Sequence, residues 1–112
     1  MSSARLHAPA TGPAEVFAAL GDPTRLSLLA NLSDGEARSI TKLSADTHLT
    51  RQAVTKHLHV LQQAGLVSRA RIGRESRFAY EPAPVGTAKA YLDMVSAQWD
   101  DALSRLRRHV ER

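Results

Sequence analysis

The chain contains no cysteine. Disulfides, thiolate metal ligands, a thiol nucleophile and thiol redox sensing are all excluded, and the composition fits a reducing compartment. No apolar run at the N-terminus is long enough for a signal peptide, and nothing resembles a membrane span. The expectation is a soluble, cytoplasmic protein without membrane contact. A Gly-rich phosphate loop and a nucleophile–base motif are also missing. Asp100 and Asp101 are adjacent, so on a helix they diverge and cannot serve as paired acid and base. Nothing points to an enzyme or calls for a cofactor.

What is present suits one small domain. The 112 residues are 43% hydrophobic, enough for a single modest core that a partner subunit would help to cover. Lysine and arginine total 15 against 11 acids, a formal net charge of +4. Such a balance attracts polyanions, of which nucleic acid is the most abundant.

Residues 1–11 are small and polar and contain Pro9, and read as a loose tail. Residues 12–112 form the domain. Gly12-Pro13 opens a short helix with Val16, Phe17 and Leu20 on one side, ended by Gly21. Asp22-Pro23 is an N-cap followed by proline at the first helical position; Leu26, Leu29 and Ala30 follow at helical spacing, widened by Leu28 and Leu32. Ser39 caps a third short helix that ends around Asp46 to His48. Thr50 opens the most regular helix, closed by Gly65. Leu66 to Ile72, the turn Gly73-Arg74-Glu75 and Arg77 to Tyr80 read as a β-hairpin, which Pro82 and Pro84 end. From about Val85 to Val110 one long helix carries Ala88, Leu92, Val95, Trp99, Leu103, Leu106 and Val110 at steps of three and four, a seam for another helix. At 1.5 Å per residue it is about 39 Å long, against a radius of gyration of about 13 Å for a domain of this size. Its own domain cannot cover it.

The helix after Thr50 has two chemically different sides. At about 100° per residue, Val54, Leu58, Leu61 and Ala64 share one face. Arg51, Gln52, Thr55, Lys56, His59 and Gln63 fall opposite. Arginine suits guanine, glutamine suits adenine, and threonine suits a thymine methyl or a phosphate. From Arg51 to Arg77 six basic residues (Arg51, Lys56, Arg69, Arg71, Arg74, Arg77) oppose the single acid Glu75. The local excess is larger than the net charge of the chain, as phosphate neutralisation requires.

Four stretches in this order resemble the ArsR family of bacterial regulators: LGDPTRLSLLANL (Leu20 to Leu32), LTRQAVTKHLHVLQQAGLV (Leu49 to Val67), RIGRESRFAY (Arg71 to Tyr80) and QWDDALSRLRRHVE (Gln98 to Glu111). The resemblance spans about Val16 to Glu111. It implies a mainly α fold with a small β-hairpin, a winged helix-turn-helix with a long C-terminal dimerisation helix. It also implies a homodimeric repressor of its own or neighbouring genes that binds double-stranded operator DNA. The DNA-contacting residues expected are Thr50, Arg51, Gln52, Thr55, Lys56 and His59 on the recognition helix, and Arg71, Arg74 and Arg77 on the wing. The expected dimer interface is Val16, Phe17, Leu20, Leu92, Val95, Trp99, Leu103 and Leu106.

Metal sensing is the alternative within the family. Its metalloid sensors carry a Cys-x-Cys pair on the third helix, where this chain has Ser39 and Thr41, hydroxyls that do not hold soft metals. His57 and His59 lie about 200° apart on their helix and cannot share an ion. His109, near Asp100, Asp101 and Glu111, resembles part of the family's C-terminal-helix site, but the second histidine is missing and zinc prefers nitrogen or sulfur ligands. No metal is expected. The alternative outside gene regulation is a winged-helix adaptor for protein partners, which a hydrophobic wing would favour; this wing is polar and basic. No residue identifies an effector.

Overall fold

The structure is a computed structural model and describes residues 12–111; the expected tail at 1–11 lies outside the described residues. Five helices and three short strands follow in the order α1 (Pro13–Leu20), α2 (Pro23–Leu32), β1 (Arg38–Ser39), α3 (Ile40–Thr47), α4 (Arg51–Gln63), β2 (Val67–Ile72), β3 (Glu75–Tyr80) and α5 (Ala83–Val110).

Local chemistry sets most of the boundaries. The side chains of Asp22, Ser39 and Thr50 accept from the amides of Arg25, Lys42 and Ala53, satisfying one orphan donor at the start of α2, α3 and α4. At the far end of α4, Gly65 adopts φ +75°. The amide of Leu66 then bonds back to the Leu61 carbonyl and that of Gly65 to the Gln62 carbonyl, both at 2.9 Å. This is the Schellman closure, with Leu61 and Leu66 fully buried over it. His48 in the left-handed region (φ 59°) turns the chain between α3 and α4.

The sheet is antiparallel in the order β1-β3-β2. β2 and β3 pair from Val67 opposite Tyr80 to Ile72 opposite Glu75, and β1 adds Arg38 opposite Phe78. The hairpin turn is thus the two residues Gly73 and Arg74, with Gly73 at φ +65°, where a II′ turn needs glycine. The second strand starts at Glu75, two residues earlier than the sequence suggests, and β1 is an addition that no sequence period announces.

Val16, Leu28, Leu32, Leu43, Val54, Leu58, Leu61 and Leu66 are the largest fully buried side chains and form one core between the helices and the sheet, joined by Phe78. Two expectations are corrected here. On α2 the buried face is Leu28, Leu29 and Leu32; Leu26 is 50% exposed and Ala30 also lies outside. Val16, expected at a dimer interface, is 0% exposed and belongs to the core of its own protomer; it has no surface left for a partner.

α5 begins at Ala83, so Pro84 lies inside its first turn, where a missing amide costs nothing. Ala88 is its one buried residue. Beyond the body the helix stands clear, and the molecule measures 69 × 42 × 21 Å with a radius of gyration of 18.6 Å.

Candidate nucleic-acid interface

α4 buries Val54, Leu58 and Leu61 and leaves Arg51, Gln52, Thr55, Lys56 and His59 exposed on the other side, as the helical spacing predicts. Thr50 is exposed at the helix start, its hydroxyl accepting from Ala53 N at 3.1 Å. The Thr55 hydroxyl donates to the Arg51 carbonyl at 2.7 Å. Its proton is therefore engaged, and Thr55 offers outward its methyl group and oxygen lone pairs only.

The wing arginines do not act as one group. Cross-strand partners share a face and neighbours alternate, so Arg71, opposite Ser76, lies on one face of the hairpin. Arg77, opposite Ala70, lies on the other. Its Nε donates to Glu75 Oε1 at 2.8 Å. Arg74 occupies the turn itself, exposed, and among the described residues no carboxylate pairs with it. Arg74 and Arg51 line the same cleft of about 350 Å³, together with Ser39, Ile40, Thr41, Ser76 and one acid, Glu75. The fold thus brings the wing tip and the first turn of α4 together from 23 positions apart in sequence. Arg69 is exposed on β2, opposite Phe78.

Two further ion pairs join residues of the segment after α2 and of α3. Arg38 donates to both carboxylate oxygens of Asp34, at 3.0 and 2.6 Å, and to the Asn31 carbonyl. That hydrogen bond, reinforced by the Glu36 amide, holds the Asp34 carboxyl down at about 2. Lys42 pairs with Asp46 at 3.0 Å within α3, which keeps that carboxyl below its ordinary range.

On α5, Leu92, Trp99, Leu103 and Leu106 are all more than half exposed, Trp99 at 64%, and Val95 is half-buried. Phe17 and Leu20 pack partly against the core, Phe17 with its ring centroid 6.2 Å from that of Tyr91. Within one protomer no three His, Asp or Glu side chains among the described residues converge on a common point. Asp101 is paired with Arg105 one turn on. Among the described residues no helix is long and apolar enough to cross a membrane.

A capped helix following a helix and a tight turn, a basic two-stranded wing beside its first turn, and a long terminal helix define a winged helix-turn-helix protein. The comparisons agree. A helix-turn-helix domain family matches residues 20–70. An ArsR-like transcriptional regulator from Rhodococcus sp. RHA1 superposes with a TM-score of 0.77 at 36% identity, covering 86% of this chain and 90% of that one. The HTH-type transcriptional repressor SmtB of Mycobacterium tuberculosis is 30% identical over 102 residues, 85% of this chain and 73% of SmtB. A homodimeric winged helix-turn-helix DNA-binding domain from Mycobacterium bovis, a possible ArsR-family regulator, is 25% identical with a TM-score of 0.59 over 82% of each chain. The protein belongs to the ArsR family of helix-turn-helix transcriptional regulators.

Three features escape the sequence reading. β1 is too short to show a period. The split of the wing arginines follows from a register that alternation alone does not fix. A polar contact joining Arg25 to His57 spans 32 positions and has no sequence signature.

Proposed function

We propose that the protein is a sequence-specific homodimeric repressor that works in the cytosol and inserts α4 of each protomer into a major groove, with half-sites about one helical turn apart. The observation that carries this reading is the cleft shared by Arg51 and Arg74 beside an exposed polar face of α4. Arg51 and Gln52, in the first turn, read base edges; each bidentate pair lost costs about 1–3 kcal/mol of discrimination. Thr55 presents its methyl to a thymine, since its proton is taken. Thr50, Lys56 and His59 flank these residues toward the backbone. Arg74 lies on a phosphate, and Arg71 and Arg77 flank it from opposite faces of the wing. The dimer forms through Phe17, Leu20, Leu92, Val95, Trp99, Leu103 and Leu106. The exposed α5 seam supports this, as does the homodimeric state of the M. bovis relative.

The test is selection of duplexes from a random pool by the purified, metal-free protein, followed by fluorescence anisotropy on the recovered duplex and on a shuffled copy at equal salt. A two-fold-symmetric duplex bound at least a thousandfold more tightly than the shuffled copy is expected. Equal, salt-sensitive binding to both would overturn sequence-specific repression and favour the adaptor reading. Adding zinc, nickel or cobalt to the same assay tests the alternative metal-responsive form centred on His109.

A further inference from the structure

Arg25 occupies a junction that DNA contact does not explain. It sits in the first turn of α2, its own amide bonded at 3.0 Å to the Asp22 carboxylate that caps the helix. That amide bond is the main cause that keeps the Asp22 carboxyl below its ordinary range. The guanidinium reaches back to the last turn of α1, where Nε donates to the Ala19 carbonyl at 2.5 Å and Nη2 to the Ala18 carbonyl at 3.3 Å. Those carbonyls lie at the negative end of the helix dipole, which a fixed cation favours. The third donor, Nη1, lies 3.4 Å from Nδ1 of His57 on α4, at the long end of the hydrogen-bond range. His57 is half-buried, and its Nδ1 is 3.9 Å from Asp22.

Val16 and Ala19 of α1 share the core with Val54, Leu58 and Leu61 of α4, but on the outer side of Ala18 and Ala19 the two helices part around open space. Glu15, Ala18 and Ala19 of α1, Val60 and Gln63 of α4 and the capping residue Ala64 surround a cleft of about 230 Å³. Open space on this side leaves fewer contacts to resist a shift of one helix against the other. A guanidinium held at all three nitrogens does resist it, since its planar fork then has little freedom.

We infer that Arg25 and His57 are positioning residues for DNA reading, tying the last turn of α1 to the recognition helix. This rests on the reading of α4 as the DNA-contacting helix and adds a coupling to it. Because α1 also carries Phe17 and Leu20 toward the proposed dimer partner, a movement of α1 against that partner is passed to α4 through the tie. The chemistry fixes one detail. A guanidinium only donates, so in this contact Nδ1 of His57 is the acceptor and the ring proton sits on Nε2.

The tautomer gives a test that needs no DNA. In ¹⁵N-labelled full-length protein, His57 Nδ1 is expected to resonate as an unprotonated acceptor and to shift in Arg25→Met. A protonated Nδ1 in the wild type overturns the tie. The functional arm uses the duplex recovered by the wild-type protein and its shuffled copy. His57→Leu removes the acceptor and is expected to weaken the recovered duplex about tenfold, leaving the shuffled copy, the salt slope and the melting temperature near wild type. His57→Asn places an amide oxygen close to the Nδ1 position and is expected to restore binding to within about twofold. Wild-type binding by His57→Leu, or equal losses by the Leu and Asn variants, would refute the positioning role. Failure of the wild type to recover any duplex would instead remove the DNA reading beneath it, while the NMR arm still decides whether the tie exists.

Discussion

Arg74 and Arg77 are three residues apart on the same wing, yet they should contribute differently to DNA binding. Arg74 stands at the turn with no carboxylate partner among the described residues, beside Arg51. Arg77 is held by Glu75 at 2.8 Å on one face of the hairpin. Each phosphate neutralised adds about −0.9 to the slope of log K against log salt. A dimer carries two copies of Arg74, so Arg74→Ala should flatten the slope by about 1.8. Between 50 and 200 mM salt, one phosphate accounts for a factor of about 3.5 and two for about 12. Wild type should therefore lose about twelvefold more affinity than Arg74→Ala across that range, on recovered and shuffled duplex alike. Arg77→Ala should flatten the slope by less than half as much, since Glu75 already neutralises the side chain. Glu75→Gln should steepen it by releasing Arg77. Anisotropy titrations at five or six salt concentrations read all four slopes. Equal flattening by the two alanine variants, or an Arg74→Ala effect confined to the recovered duplex, would refute this division of the wing.

Three further predictions test other parts of the molecule. Trp99→Ser should weaken the dimer at least about thirtyfold in sedimentation equilibrium, the effect of losing a central aromatic anchor; a change under threefold would remove Trp99 from the interface. Leu58→Ala, which empties a 1%-exposed position under the recognition helix, should cost about 2.7–5 kcal/mol in urea unfolding at fixed protein concentration, and a loss below about 1 kcal/mol would contradict the packing. Asp34, held at about 2 by Arg38, has an ordinary value of about 3.9 once unfolded. Its folded-state value is depressed, so its stabilisation is full above the unfolded value and drains as pH falls toward 2. The stability gap between wild type and Asp34→Asn should close over that window, and a gap constant from pH 6 to 2 would dismiss the ion pair.

What the sequence disclosed and what it concealed divide along a physical line. Features whose cause lies within one turn of chain were legible. Asp22, Ser39 and Thr50 cap because an oxygen two or three residues before an orphan amide can reach it, and Gly65 ends α4 because a positive φ is needed there. The outward face of α4 followed from its period. Contacts that depend on how elements meet were not legible. Leu26 and Leu28 both fit a helical stripe on α2, and only the position of the sheet and α4 decides that Leu28 is the buried one. Val16 is expected at the dimer interface, yet the packing of its own protomer closes over it. Pro84 reads as a breaker beside the hairpin, yet the first turn of a helix accepts it.

The shape of the protomer links its two ends. A domain of about 100 residues has a radius of gyration near 13 Å, whereas this one measures 18.6 Å. The excess is the length of α5 that leaves the body carrying Trp99, Leu103, Leu106 and Val110 uncovered. Scattered surface leucines need no explanation, but a row of apolar side chains at helical spacing on one face marks an interaction site. The exposed side of α4, by contrast, is polar and basic. A monomer could therefore present Arg51 and Arg74 to DNA, but it would leave the α5 row in water and reach a single half-site. Pairing through α5 removes the first cost and supplies the second half-site in the same step. Dimer formation and two-site reading are on this argument one event, and Trp99→Ser should lower affinity for a two-fold duplex while leaving binding to an isolated half-site unchanged.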